Sequence, residues 1–377
     1  MKLRSNAAEQ GLVRLPSDPS TTGKGAPKVL QYQSTTVDRY STWAARSSER
    51  HAWSGVKREG TSQRPGFVTG HALFKLLDAG QALPLQCVST LTGNHQGGIC
   101  AVAVVADGRL ATGSYDETVK LWDLTTGQCV QMLNGHSGWV YAITALADGR
   151  IAIASADKTV RIWNTITGQC VQTLEGHESW VSSVVALANG QLATGSGDNT
   201  VKLWDRTTGQ CVRTLSGHTD AVSAVAALAD GRLVTGSRDT TVKLWDPTKG
   251  KCVQTFDGHA DGVTAVTAIP DGRLATGSYD KTVKIWDPMT GQCVTLKGHT
   301  NSVRAVTALA NGLLATGSLD ETVKLWDLTT GECLQTLSGH TGGVLAITVF
   351  ADGRLAAASM GMTVKLWESS YNDKPAP

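Results

Sequence analysis

Residues 275–299, ATGSYDKTVKIWDPMTGQCVTLKGH, hold Ser278, Asp280 and His299 within one short stretch. A serine nucleophile, a histidine base and an aspartate that orients the base are the parts of acyl-transfer chemistry. Copy number decides against that chemistry. ATGSYDETVKLWDLTTGQCVQMLNGH (111–136) repeats the stretch, and so does IASADKTVRIWNTITGQCVQTLEGH (153–177). The Thr-Val-Lys/Arg-Leu/Ile-Trp core occurs seven times, at Trp122, Trp163, Trp204, Trp245, Trp286, Trp326 and Trp367. A catalytic triad has no reason to recur in every copy, and no Gly-x-Ser-x-Gly elbow is present to expose a serine.

Successive tryptophans are 41 residues apart, except for a step of 40 between Trp286 and Trp326. Each follows a histidine by 27 residues: His95, His136, His177, His218, His259, His299 and His340. A fixed period of this length with Gly-His and Trp-Asp marks is the sign of a radially repeated β-sheet. The pattern resembles the WD-repeat (WD-40 type) β-propeller family over residues 83 to 368.

Each unit reads as four strands. GVTAVTAI (262–269) alternates small and β-branched residues, Asp271-Gly272 makes a tight turn, RLATGS (273–278) and TVKIWD (282–287) follow, and CVTL (293–296) ends the unit. The array is incomplete at its two ends in complementary ways. QCVSTL (86–91) is a fourth strand without the first three, whereas VLAITVF (344–350), RLAAAS (354–359) and TVKLW (363–367) lack a fourth. The expected fold class is therefore all-β: a seven-bladed β-propeller of four-stranded antiparallel blades, closed by pairing an N-terminal strand with the C-terminal three strands.

The resemblance implies that histidine, a strand-two hydroxyl, aspartate and tryptophan form a structural network in each blade. The sets are His136, Asp157 and Trp163; His177, Asp198 and Trp204; His218, Asp239 and Trp245; His259, Asp280 and Trp286; and His299, Asp320 and Trp326. The partner of Asp280 is thus His259, not His299. The hydroxyl is open: Thr112, Thr194, Thr235, Thr276 and Thr316 are replaced in two repeats by Ile153 and Ala357, whereas Ser114 and its six equivalents are present in all. The last repeat also has Gly361 where the others have the turn aspartate, so the closing blade is expected to be the softest.

In repeats this similar, positions that differ between copies are where a distinct surface can be specified. Three such positions fall near the loops that the resembled family uses as its upper rim. Three after each histidine stand Gly98, Trp139, Trp180, Ala221, Gly262, Ser302 and Gly343. Five after it stand Cys100, Tyr141, Ser182, Ser223, Thr264, Arg304 and Leu345. Before the turn aspartate stand Tyr115, Ala156, Gly197, Arg238, Tyr279, Leu319 and Met360. Tyr115, Trp139, Tyr141 and Trp180 form an aromatic group of the kind that anchors interfaces. Arg238, Tyr279 and Arg304 suit an acidic or phosphorylated segment. Leu319, Leu345 and Met360 complete the expected partner-binding set.

Seven of the eight cysteines occupy one repeat position, G-Q-C-V-x-T-L. Each falls on a different blade, too far apart for a bridge, so they are expected to be small buried apolar residues. No Cys-x-x-Cys suggests a metal site, and no cofactor is implied. Free thiols favour a reducing compartment, cytoplasmic or nuclear. The longest apolar run, ICAVAVVA (99–106), is far too short to span a membrane, and no apolar signal core opens the chain.

The formal net charge of +2 is uneven: residues 1–82 carry 12 Lys and Arg against 6 Asp and Glu, and the remainder 22 against 26. The arm reads as a largely disordered basic extension with a short helix at 71–80, and residues 369–377 as a flexible tail. Gly23-Lys24-Gly25 lacks the spacing of a phosphate loop. The function expected is a non-catalytic scaffold that binds a protein or peptide, as a monomeric propeller within a larger complex. An enzyme in the central channel would need converging acid–base groups, and the inner strands supply Ala, Val, Ser and Thr instead. Nucleic acid has a foothold only in the arm, where Trp43 and Trp53 lie among Arg39, Arg46, Arg50, Lys57 and Arg58. A ubiquitin-ligase receptor is a subtype of the scaffold, although no Trp-Asp-x-Arg ending is present: Trp204-Asp205-Arg206 has its arginine one residue early.

Overall fold

A computed structural model describes residues 84–369, except Asn94 and Asn311. The basic arm at 1–82 and the helix expected at 71–80 lie outside the described residues; of the tail expected at 369–377, Ser369 instead ends the last strand and the remainder lies outside them. Twenty-eight strands, β1 to β28 in chain order, form seven four-stranded antiparallel sheets. In blade one, β2 (Ile99–Val104) lies innermost, followed outward by β3 (Leu110–Ser114), β4 (Val119–Asp123) and β5 (Gln128–Leu133). Five more blades repeat this order.

The seventh blade closes the ring. β26 (Val344–Val349), β27 (Leu355–Ser359) and β28 (Val364–Ser369) take β1 (Leu85–Leu91) as their outer strand. β1 pairs antiparallel with β28 from Leu85 opposite Ser369 to Leu91 opposite Val364. The neighbouring blade grips the same strand: Gln335 accepts from the Leu85 amide at 3.0 Å and donates to its carbonyl at 2.9 Å. The side-chain amide thus acts as one further backbone partner.

There is no single core. Seven apolar clusters each sit between two adjacent blades, and every one contains a repeat tryptophan. Trp122, for example, packs with Leu110 and Val102 of its own blade and with Leu91, Phe350, Val364 and Leu366 of the closing blade. The second strand is wholly buried in five blades and buried in all but its first residue in the other two, because it has a sheet neighbour on each side and another blade on each face. Blades also approach closely at Gly113, where an added Cβ would lie 2.4 Å from Val140 of the next blade.

Two bulges recur in the blades. The first doubles one residue of the innermost strand: Ile99 opposes Ser114 and Ala101 opposes Gly113, leaving Cys100 over. The second lies on the outer strand, where Leu121 opposes Gln131 and Trp122 opposes Cys129, leaving Val130 over. Blade five lacks the second bulge. Its outer strand β21 (Cys293–Leu296) pairs residue for residue with β20 (Val283–Trp286). The single step of 40 residues is thus the loss of the outer bulge residue, a change that shortens one edge and leaves the rest of the register intact.

The edge position of the outer strand overturns the expectation for the cysteines, with or without the bulge. Cys87, Cys211, Cys252, Cys293 and Cys333 are exposed, Cys129 and Cys170 are half-buried, and all are free thiols. Their strands lie at the circumference with one sheet neighbour only, so one face meets solvent. In the bulged blades the thiol turns back to the carbonyl two residues on, as Cys129 does to Gln131 at 3.5 Å.

Candidate functional site

The opening trio resolves into a buried relay. In blade five, Trp286 Nε1 donates to Thr276 Oγ1 at 2.9 Å, Thr276 Oγ1 lies 2.8 Å from His259 Nε2, and His259 Nδ1 lies 2.8 Å from Asp280. A neutral imidazole satisfies all four groups in one way. Nδ1–H donates to the carboxylate, Nε2 accepts from the threonine hydroxyl, and that hydroxyl accepts from the indole. Threonine is therefore the working hydroxyl. The serines do something else: Ser278 Oγ donates to the Asp261 carbonyl at 2.9 Å and accepts from the Asp280 amide at 3.0 Å. The same relay is complete around His177, His218 and His299. It is also complete around His95, with Thr112, Asp116 and Trp122, a set that the sequence expectation passed over although all four residues stand in register.

The aspartate has a second task. Asp280 Oδ1 accepts from the Thr282 amide at 2.9 Å and the Thr282 hydroxyl at 2.6 Å, which holds Lys281 at φ 68°. A non-glycine residue in the left-handed region recurs at this point in all seven blades. Burial pushes the carboxyl pKa up, but the threonine, backbone and histidine hydrogen bonds outweigh it and bring Asp116, Asp198, Asp239 and Asp280 down to about 2. Burial lowers the pKa of His95, His177, His218, His259 and His299 despite the adjacent carboxylates, in keeping with a neutral ring.

Two blades depart from the relay. In blade two, Ile153 replaces the threonine: His136 keeps Asp157 at 2.7 Å, but His136 Nε2 and Trp163 Nε1 are buried without a partner among the described residues. The implied role of Trp163 as a network member is therefore corrected, and it serves by packing alone. In the closing blade, Ala357 and Gly361 remove both partners. Among the described residues, His340 keeps only a 3.4 Å hydrogen-bond contact with Thr363 and its Nε2 has no partner, and burial together with Lys365 pushes its pKa down to about 4.

The inner bulge builds a different feature. In each blade it turns one side chain of the innermost strand toward the channel, and these seven residues are the set found five after each histidine. All seven line one cavity of about 140 Å³ at the channel mouth, joined by Tyr115, Trp180, Arg238 and Tyr279 among others. Three of them staple neighbouring blades. Cys100 Sγ donates to the Val140 carbonyl at 2.8 Å, Ser182 to that of Val222, and Thr264 to that of Val303. Burial raises the Cys100 thiol to about 12. Leu345, expected on the exposed rim, is buried within this mouth.

The other two variable positions form one rule that went unread in the sequence. In every blade they are joined by a backbone hydrogen bond, such as Tyr115 to Gly98 at 3.0 Å and Gly197 to Trp180 at 2.9 Å. One of the two is large and the other small: Gly98 with Tyr115, Trp139 with Ala156, Trp180 with Gly197, Ala221 with Arg238, Gly262 with Tyr279, Ser302 with Leu319, and Gly343 with Met360. Each blade thus contributes one large side chain to the rim. The alternation of large and small residues within each repeat was a signal that could have revealed the pairing.

The rim brings the aromatic residues into two groups. Tyr115 and Trp139 meet with ring centroids 4.8 Å apart, and Trp139 and Tyr141 with centroids 6.3 Å apart. Trp139 is 50% exposed, and Met360 beside this group is 49% exposed. Trp180 is separate from them: it lies over Gly197, where an added Cβ would sit 2.3 Å from the indole, and it carries the Arg238 guanidinium 5.6 Å from its ring centre. Arg304 stacks 5.2 Å from the Tyr279 ring and donates to its hydroxyl at 2.7 Å. Leu319 packs over Gly343.

A closed ring of seven sheets with a walled mouth at the inner bulges defines the protein's class as a seven-bladed β-propeller. The WD40 family profile (WD domain, G-beta repeat) matches residues 85–123, 127–164, 168–205, 209–246, 250–287, 291–327 and 331–368, and the chain belongs to that family. Each matched unit begins at or just before the outer strand of one blade and ends at or just after the third strand of the next, so the family repeat itself links neighbouring blades. No curated protein matches the chain. No helix among the described residues is long and apolar enough to cross a membrane.

Three outcomes are expected. The double change Ala357→Thr with Gly361→Asp should rebuild the relay in the closing blade. A Cβ at 361 needs Thr341 to rotate from 2.6 Å, and Thr219 and Thr300 already coexist with Asp239 and Asp320 at equivalent places. At about 1 kcal/mol for each bond gained, unfolding should become harder by about 2–3 kcal/mol, and amide exchange across 344–369 should slow from the fastest in the ring. Acid should destabilise the wild type in two stages. The depressed histidines bind protons in the unfolded chain below 6.5 but resist them when folded, so stability is full above that value and falls as pH drops. The carboxylates follow, their contribution being lost as pH falls from 3.8 toward about 2. Denaturation midpoints unchanged between about pH 7 and 5 would contradict the first stage. Finally, Gly197→Ala should lift Trp180 off its backbone seat to an exposure like that of Trp139, read as stronger acrylamide quenching, with a stability loss of about 1–3 kcal/mol.

Proposed function

We propose that the chain is a non-catalytic protein–protein interaction scaffold that holds a peptide or protein partner on the upper rim of the propeller. The observation that carries this is the contiguous Tyr115–Trp139–Tyr141 cluster, in which Trp139 stays half-exposed although the repeat tryptophans are buried. A large aromatic side chain kept in water at the edge of a cavity is what an interface anchor requires. WD40 propellers in general are scaffolds for protein partners.

The chemistry of the mouth favours binding over catalysis. Among the described residues, no His, Asp, Glu or Lys lines the cavity, which argues against a converging acid–base pair there. Five of the repeat histidines spend both ring nitrogens in the relay. The scaffold works as a monomeric propeller within a larger complex, without cofactor or metal, and its free thiols suit the cytoplasm or nucleus.

Partner capture from cell extract, with identification by mass spectrometry, tests this reading. The variant Trp139→Ala/Trp180→Ala should lose the partners that wild type retains while its unfolding transition stays cooperative. An identical partner list from both proteins would make the tryptophans structural and move the search to residues 1–82.

A further inference from the structure

The rim arginines are held without being neutralised. Arg238 rests on the face of Trp180, and Arg304 on the face and hydroxyl of Tyr279. Neither has a carboxylate within ion-pair distance among the described residues. The hairpin-turn arginines differ: Arg109, Arg150, Arg232, Arg273 and Arg354 each pair with the aspartate of their own turn. An aromatic face orients a guanidinium yet leaves its charge and most of its donors available. Each arginine leans on the aromatic residue of the preceding blade, and both then open onto the same cavity.

The electrostatics are correspondingly local. Residues 83–377 carry fewer Lys and Arg than Asp and Glu, yet among the described residues the charged groups lining the mouth are two arginines and no acid. Such a cleft concentrates anions against the sign of the surrounding body. Both guanidinium charges bear on the Tyr141 hydroxyl, which places the two within one electrostatic neighbourhood. Tyr141 and Ser223 add hydroxyl donors from the inner bulges.

We infer that Arg238 and Arg304 form an oxyanion-binding site at the channel mouth, and that it takes the acidic or phosphorylated side chain of the partner peptide. The inference rests on the rim reading above and names the chemistry of its ligand. Guanidinium forks bind carboxylate and phosphate through paired hydrogen bonds, and a peptide anchored on Trp139 would place its neighbouring oxyanion over the mouth. Arg304, fixed by Tyr279, supplies a rigid donor. Arg238, on the open face of Trp180, has the freedom to close on the ligand.

The test uses fluorescein-labelled peptides of one Gly/Ser background with a single central tryptophan, followed by glutamate, phosphoserine or alanine, titrated at low and high salt. Wild type should bind the glutamate and phosphoserine peptides and weaken steeply with salt, while the alanine peptide binds at least about tenfold more weakly. Arg238→Gln/Arg304→Gln should bring the acidic peptides to the level of the alanine peptide with an unchanged unfolding transition. Competition by inorganic phosphate alone would assign the recognition to the oxyanion, and competition only by the phosphoserine or glutamate peptide would assign it to the oxyanion in its peptide; either supports the site. Equal binding of all three peptides, or acidic peptides held as well by the arginine variant, overturns it. The two readings fail separately: if partner capture is lost in the tryptophan variant but kept in the arginine variant, the rim stands and the oxyanion site falls.

Discussion

A threonine hydroxyl shared between a tryptophan and a histidine is the interaction on which each regular blade turns. It accepts the indole N–H and donates to the imidazole, so one buried oxygen satisfies two aromatic rings that would otherwise be desolvated without partners. The imidazole passes the chain on to the aspartate, and the aspartate in turn holds the left-handed turn between the second and third strands. Packing, polar satisfaction and turn geometry are thereby joined in one unit. Replacing the threonine by Ile153 leaves two orphaned nitrogens at once, and losing threonine and aspartate together strips His340 of both.

The ring can carry two defective units because its apolar packing does not depend on them. Trp163 and Trp367 stay buried in their inter-blade clusters without the hydroxyl. The closing blade is held by other means: the β1–β28 pairing and the Gln335 side chain that grips Leu85. A circular array distributes strain among its interfaces, each blade touching its two neighbours, so a weak blade is bounded by sound ones.

The variable surface follows from the same regularity. An inner bulge, imposed on every blade, aims one side chain into the channel, and a backbone hydrogen bond fixes the pair of rim loops at a distance where only one of them can be large. The framework therefore leaves each blade one inward position and one rim side chain to vary. Trp139 and Trp180 show how the small partner matters. Beside Gly197 the indole lies flat and supports a guanidinium, whereas Trp139, opposite an alanine, stays half-exposed against Tyr115.

Strand number, turn positions, blade count and the closing pair were legible in the sequence by itself, because each depends on local chemistry: alternation along a strand, Asp/Asn-Gly turns and a repeated Trp. The deletion before Trp326 was visible too, as a step of 40, although its meaning as a lost bulge was not. The tertiary structure decided the rest. Thr276 and Ser278 are two apart on one strand and share a face, so only the position of His259 could select the hydroxyl. The thiols read as small buried apolar residues, but a one-sided edge strand brings most of them to the surface, Cys293 of the unbulged blade included. Arg238 and Arg304 lie in separate repeats, and nothing local says that each leans on an aromatic residue of the preceding blade. Only ring closure sets them around one mouth, because it is the curvature of the assembled blades that turns seven separate bulges toward a common axis.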